Sequence, residues 1–338
     1  MLTIKDIAMQ AGVSKSTVSR VLTNNGYVSE EARAKIERVI EENHFRPSAS
    51  AQFLSKRETN TIGVIIPEMD NYFFSELLYG MMRVLDENNL TMICCNTDND
   101  FQKEEKALKL LESQRVRGVI MTPAISYSET NSQKKLLKLL RKLNAPIVLV
   151  DRVIGNAPFD GVFYENYQSA YKATEVLIQQ GYKKIGVITG DLRLQIGRER
   201  LQGYKDAMSD YGMELYERYV YEGDFTIQKA YEITNEMIES HDMPEGILTC
   251  NNLTSLGFIK SIGEHNMKLG REIAVIGIDH DRTLDIIGYN FSYVSRDVNN
   301  MGQLGARLLL ERIADPGKER SIIMVPCVLK LNGSEKLA

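Results

Sequence analysis

From residue 61 onward the chain repeats one pattern: a short apolar run, then a longer amphipathic stretch. The runs are "TIGVIIP", "TMICCN", "GVIMTP", "PIVLVD", "KIGVITG", "GILTCN" and "IAVIGID". Between them, helical spacing falls near 75–88, 102–114, 132–143, 167–180, 198–211, 226–240 and 252–264. A strand apolar on both faces must be covered on both faces, and alternation with helices supplies the cover. The fold class is therefore α/β with parallel sheets. About 270 residues are too many for one such sheet, so two similar lobes are expected. A composition of 43% hydrophobic and 25% charged residues agrees with a globular chain.

Enzymatic signals are missing. No G-x-G-x-x-G follows a strand, and neither a phosphate-binding G-x-x-x-x-G-K-[ST] nor a G-x-S-x-G elbow is present. His241 and His265 stand alone in polar stretches. Asp279, His280 and Asp281 have no complementary ligand cluster elsewhere, so no metal site and no catalytic residues are expected. No cofactor is called for. Cys94, Cys95, Cys250 and Cys327 lie in apolar runs without disulfide or metal spacing, which reads as buried thiols in a reducing cytosol. Met1 leads directly into polar helix-forming sequence, and no apolar run approaches membrane-spanning length. A cytoplasmic location without membrane contact is the expectation.

The first 57 residues differ from the rest. They carry nine Lys/Arg against six Asp/Glu, although the whole chain has a net charge of −4. Thr3 and Asp6 have capping-box spacing, with Ile4, Ile7, Ala8 and Ala11 on one stripe of a first helix. Gly12 suits a tight turn, and Ser14 caps a second helix, "KSTVSRVL". There Lys15, Ser19, Ser16 and Arg20 share an arc of about 140°, opposite Val18 and Val21. Asn24-Asn25-Gly26 signals a turn, and Ser29 starts a third helix carrying Ala32, Ile36, Val39 and Ile40. Two short helices around a glycine turn, closed by a third, make a helix-turn-helix. Hydroxyl side chains allow close approach to a groove floor, and an arginine can pair bidentately with guanine.

The stretch "TIKDIAMQAGVSKSTVSRVL" resembles the opening of the LacI/GalR family of bacterial repressors, and the similarity continues through "HFRPSASAQFLSKRETNTIGVIIP" nearly to the C-terminus. The resemblance implies a type I periplasmic-binding-protein-like body. Lys15 and Ser16 would read bases at variable positions, and Arg20 would make the shared base contact. Thr3, Ser14, Thr17 and Ser19 would sit against phosphates. Ala32 stands where the family often has Thr. Composition alone makes the segment after Pro47 a flexible tether. The resemblance makes it a hinge helix, with Ala51 small enough for close packing and Leu54 wedged into the minor groove.

Polar residues at strand ends suit ligand binding in an α/β body. By resemblance the effector contacts are Arg200, the aromatic platform Phe225, Asn251 and Asp279, with Phe73 and Phe74 as the wall from the first lobe. Glu165 and Asn252 depart from the family pattern. The expected division is 1–46 for DNA binding, 47–60 for the hinge and 61–332 for effector binding and dimerisation. Lobe one would take 61–160 and 292–320, and lobe two 161–291 and 321–332. The reading is a homodimeric transcription regulator, a repressor on a pseudo-palindromic operator in double-stranded DNA, controlled by a small polar effector of carbohydrate type. A solute-binding protein without DNA function is the alternative. Within the family, a nucleobase effector or a phosphoprotein co-regulator stays open.

Overall fold

The computed structural model of the chain describes residues 3–23, 26–43, 45, 59–125 and 131–337. The Asn24-Asn25 turn and the hinge, with Pro47, Ala51 and Leu54, lie outside the described residues. The chain divides into two compact units, meeting between Thr59 and Asn60.

The first unit holds α1 (Ile4–Gln10), α2 (Lys15–Thr23) and α3 (Glu30–Glu42). The Asp6 carboxylate accepts the Thr3 backbone N–H at 2.9 Å while the Thr3 hydroxyl accepts the Asp6 N–H at 3.4 Å, closing the capping box. Caps of this kind stabilise a short helix by about 1 kcal/mol. Gly12 turns the chain at φ 65°, and Ser14 caps α2 through the Thr17 N–H at 3.1 Å. Ile7, Ala8, Ala11, Val18, Val21 and Ile36 form the buried core of this unit.

The second unit is built on two six-stranded sheets. The first is assembled from β1 (Thr61–Ile66), α4 (Tyr72–Glu87), β2 (Thr91–Asn96), α5 (Phe101–Gln114), β3 (Gly118–Met121), α6 (Asn131–Lys142), β4 (Ile147–Val150) and β5 (Asp160–Tyr164). The second takes α7 (Asn166–Gln179), β6 (Ile185–Thr189), α8 (Gln195–Asp210), β7 (Val220–Glu222), α9 (Ile227–Glu239), β8 (Gly246–Thr249), α10 (Asn252–Glu264), β9 (Ala274–Ile278), α11 (Arg282–Ile286) and β10 (Ser292–Arg296). The chain then returns through α12 (Val298–Ala314) to β11 (Ile322–Val325) in the first sheet and ends with β12 (Cys327–Lys330) in the second. The strand orders are β11-β5-β4-β3-β1-β2 and β12-β10-β9-β8-β6-β7. Among the described residues, only β12, against β10, pairs antiparallel.

Each sheet is sandwiched between helices. Ile62, Val64 and Ile66 of β1 point to a core shared with α4 and α12, while Ile65 points to the opposite face with Leu108 and Leu111 of α5. Helices α4 and α12 pack at backbone contact. A Cβ on Gly80 would lie 2.1 Å from the Asn299 carbonyl oxygen, and one on Gly302 would lie 2.2 Å from that of Leu77.

The crossings between lobes fall later than the family resemblance implies. They come after Tyr164, at Asp297 and at Pro326, not at 160/161, 291/292 and 320/321. Strands β5 and β10 run to completion in the sheet they started before the chain leaves it. The folded unit also runs past Asn332. Ser334 and Glu335 are buried, with the Ser334 hydroxyl donating to the Val275 carbonyl at 2.7 Å.

Candidate functional site

On α2 the apolar side turns inward through Val18 and Val21, which leaves Lys15, Ser16 and Arg20 exposed. Thr3 and Ser14 are also exposed, while Thr17 and Ser19 are half-buried. The Ser14 hydroxyl hydrogen-bonds those of Ser16 at 2.7 Å and Thr17 at 2.8 Å. One solvent-facing helix thus offers two cationic side chains and a row of hydroxyls.

In the second unit, the carboxyl ends of both sheets face a cleft between the lobes. Phe73 and Phe74 open α4, whose N-cap is Asn71, and their rings meet edge to face at 5.0 Å. Asp151 follows β4 and Asp279 follows β9, each in the left-handed region, at φ 64° and 71°. Phe225, at φ 57°, precedes α9, and Asn251 caps α10. A single cavity brings together all six sequence-predicted effector residues: Phe73, Phe74, Arg200, Phe225, Asn251 and Asp279. Its volume is about 30 Å³, enough for about a water or two.

The centre of that cleft is occupied by a residue the sequence reading missed. Arg296, the last residue of β10, makes a bidentate pair with Asp279. Its guanidinium lies between the rings of Phe73 at 4.7 Å and Tyr164 at 4.6 Å. Burial opposes the charge, but the Asp279 carboxylate outweighs it and holds the Arg296 pKa above the usual arginine value. Asp279 is therefore committed to a protein partner. On its other edge, Arg296 Nη1 stands 3.6 Å from Asp151 Oδ1, and neither atom has a hydrogen-bond partner. Arg152 Nε, 3.8 Å from Asp151 Oδ2, is buried and unpartnered as well.

Arg200 projects from α8 with 1% exposure. Nε and Nη2 donate to Asn166 Oδ1 at 3.0 and 2.8 Å, and Nη1 donates to the Cys250 carbonyl. Burial, then the like charge of Arg296, lowers its pKa to about 10, so it remains cationic near neutrality. It faces the Phe225 ring at 5.5 Å. Asn251 uses its side chain locally, accepting the Thr254 N–H at 2.8 Å and donating to the Phe225 carbonyl at 3.3 Å. Its neighbour Asn252 reaches across the cleft to Asn71 Oδ1 at 3.1 Å. Glu165, the other departure from the family pattern, is exposed and does not line the cavity.

The loop after β9 has structural duties. His280 pairs with Asp285 at 3.0 Å and stacks on Tyr293, and Asp281 caps α11. Among the described residues, no group of His, Cys, Asp and Glu is placed to hold a metal ion.

Residues 3–48 match the family described as bacterial regulatory proteins, lacI family, and residues 59–285 match periplasmic binding proteins and sugar binding domain of LacI family. The chain belongs to the LacI family. This LacI-family protein is 30% identical to the ribose operon repressor of Escherichia coli (strain K12), covering 99% of this chain and 100% of that one. It is 29% identical to the HTH-type transcriptional repressor PurR of Pasteurella multocida (strain Pm70), covering 99% of both. Its fold matches a lac repressor dimer bound to operator and the anti-inducer ONPF, with a TM-score of 0.84 at 22% identity, over 100% of this chain and 99% of the other. As a LacI-family regulator it binds operator DNA as a dimer and answers to a small-molecule effector; it is not an enzyme. No helix among the described residues is long and apolar enough to cross a membrane.

Proposed function

We propose that this regulator is a cytoplasmic repressor of carbohydrate-utilisation genes, released from or fixed on its operator by a neutral sugar. Residues 1–46 read the operator, 47–60 form the hinge and the unit from 61 senses the effector. Lys15, Ser16 and Arg20 meet base edges. Thr3, Ser14, Thr17 and Ser19 meet phosphates, and Ala51 and Leu54 act at the hinge. Phe73, Phe74, Arg200, Phe225, Asn251 and Asp279 form the effector wall.

One observation carries the choice of ligand. Asp151 Oδ1 and Arg296 Nη1 form a buried ion pair at 3.6 Å, and neither atom has a hydrogen-bond partner. Leaving such groups unmatched costs free energy, and a hydroxyl can accept from the guanidinium while donating to the carboxylate. A sugar brings several. The cavity wall also balances Arg152, Arg200 and Arg296 against Glu68, Asp151 and Asp279, which favours a neutral ligand over a phosphorylated one.

A thermal-shift and calorimetric panel of mono- and disaccharides, hypoxanthine, guanine and inorganic phosphate tests this. At a hundredfold excess over Kd, the cognate sugar should add about 2.7 kcal/mol of stability. Stabilisation by a nucleobase and by no sugar would overturn the reading.

A further inference from the structure

Helix α6 carries Lys134, Lys135, Lys138, Arg141 and Lys142 and not one acidic residue, in a chain whose net charge is −4. Lys135 is engaged locally: it pairs with Glu105 at 2.6 Å and lies over the Phe101 ring. The other four are exposed and form no ion pair among the described residues. At 100° per residue they share an arc of about 100°, a strip about 12 Å long. Arg141 and Lys142 suit the negative end of a helix dipole, but Lys134 and Lys138 stand too far from that end for it to explain them. A basic amphipathic helix can also dock on a membrane or in a partner's groove through its apolar face. Here that face is taken, since Leu136 and Leu140 are buried in the core of the first lobe. Only charge is left to meet a partner, and the partner it fits is a polyanion.

The strip leads into a groove of about 620 Å³. Arg141, Arg312, Lys318 and Arg320 line it against one acid, Asp160, which Arg312 clamps at 2.7 and 2.9 Å. Lys318 pairs with Glu311, and Arg320 Nε donates to the Phe159 carbonyl at 2.8 Å. The groove's place in the fold selects the polyanion. Pro146, Asp160 and Arg320 stand at the amino ends of β4, β5 and β11, and β1 starts at Thr61 on the same edge. Arg117, Val119 and Gly161 donate their N–H groups to the carbonyls of Thr61, Pro146 and Ser321 at 2.8, 2.9 and 3.0 Å, which keeps these ends level. Neighbouring strands lie about 4.8 Å apart, so β4 and β5 start about 10–15 Å from β1. The chain coming from the DNA-binding unit enters the body at β1. DNA is therefore the polyanion tethered to this edge.

We infer that the exposed strip of α6 and the adjoining groove form an auxiliary surface for DNA phosphates that flank the operator. Along about 12 Å of duplex each strand presents three or four phosphates, a match for four cations. Contacts of this kind add affinity without reading bases.

The test uses the full-length protein and an operator that it selects from random duplexes, prepared bare and with about three helical turns of arbitrary sequence on each side. Fluorescence anisotropy reads binding over a range of KCl concentrations. The flanked duplex should bind about tenfold or more tightly at low salt, with a salt slope steeper by about 3, because each neutralised phosphate adds about 0.9. Lys134→Glu, Lys138→Glu and Arg141→Glu combined should remove that gain and leave the bare operator within about twofold of wild type. The corresponding glutamine variant gives the same reading in smaller degree if the reversed one folds poorly. Lys183→Glu, Lys229→Glu and Lys268→Glu combined, all exposed on the second lobe, make the same charge change elsewhere and should keep the gain. Equal slopes for the two duplexes, an equal loss on both in the strip variant, or a control variant that loses as much as the strip variant overturns the inference.

Discussion

Arg296 is the most consequential side chain that the sequence did not announce, and Arg296→Met isolates what it does. Methionine keeps most of the length and packs between the Phe73 and Tyr164 rings, but it removes the charge. The side chains of Arg296 and Asp279 retain only 3% and 5% exposure, so water cannot replace the lost partner. Breaking a buried pair from one side costs about 3–5 kcal/mol, because the remaining charge stays desolvated. In a domain of this size that lowers the melting midpoint by roughly 6–10 °C. A double variant separates this cause from loose packing. Arg296→Met combined with Asp279→Asn removes the carboxylate that lost its bidentate partner, leaving only Asp151 beside Arg152, and should recover at least about 1.5 kcal/mol of the loss. Differential scanning calorimetry of the single and double variants against wild type reads this. A single variant within about 1 kcal/mol of wild type, or a double variant no better than the single, would refute the argument.

Four further outcomes follow from other parts of the molecule. Arg20→Ala should cost roughly 1–3 kcal/mol of specific operator affinity with little effect on non-specific binding; an equal loss in both, titrated at fixed salt, would make Arg20 a phosphate contact. Gly190→Ala puts a Cβ 1.9 Å from the Phe225 ring, so sugar affinity should fall by about tenfold or more, roughly 1.4 kcal/mol, while operator binding without ligand stays intact. Arg200→Ala should abolish the ligand response in an operator-binding assay, and a retained full response would remove Arg200 from the site. Burial raises the Asp160 pKa, but its bonds from Arg312 at 2.7 and 2.9 Å more than offset this and hold it below the ordinary carboxylate value. The stability it adds is complete above that ordinary value and lost as pH falls through the depressed one. The stability gap between wild type and Asp160→Asn should therefore stay constant down to about pH 5 and close below about pH 4.

The parts of the fold legible in advance were those where one physical constraint acts alone. Strands buried on both faces must be apolar throughout, so β1, β3, β4, β6, β8 and β9 stood out as runs. Strand β10 escaped because it alternates: Ser292, Val294 and Arg296 are buried while Tyr293 and Ser295 are half-buried. An arginine in such a pattern reads as solvent-facing. The ring faces of Phe73 and Tyr164 and the carboxylates of Asp279 and Asp151, all distant in sequence, make its burial tolerable. Asp151 closed a quoted apolar run and could have been singled out by position, as Asp279 was. Arg152 could have followed from the same strand end. The lobe crossings were illegible for a different reason. Hydrophobic pattern says that a segment is a strand, and nothing about which of two similar sheets will accept it.

These missed residues change how the cleft must work. Arg296 leaves the second sheet, yet it touches Phe73, Tyr164 and Asp151 from the first lobe, and Asn252 bridges to Asn71 beside it. The lobes thus have contacts of their own across a cleft that holds only about 30 Å³. Closure in this form is incompletely satisfied, since Asp151 Oδ1 and Arg296 Nη1 stop short of bonding. A ligand hydroxyl placed between them gains two charge-assisted bonds from groups whose desolvation has already been incurred. That gain belongs only to a lobe arrangement in which both atoms face the ligand. An effector can shift an equilibrium only by its differential affinity for the two states, and on the proposed sugar reading this pair would supply such a difference. Reciprocity then requires operator DNA to change sugar affinity by the same factor that sugar changes operator affinity. Arg296→Met should shrink both factors together, because it removes the donor that distinguishes the states.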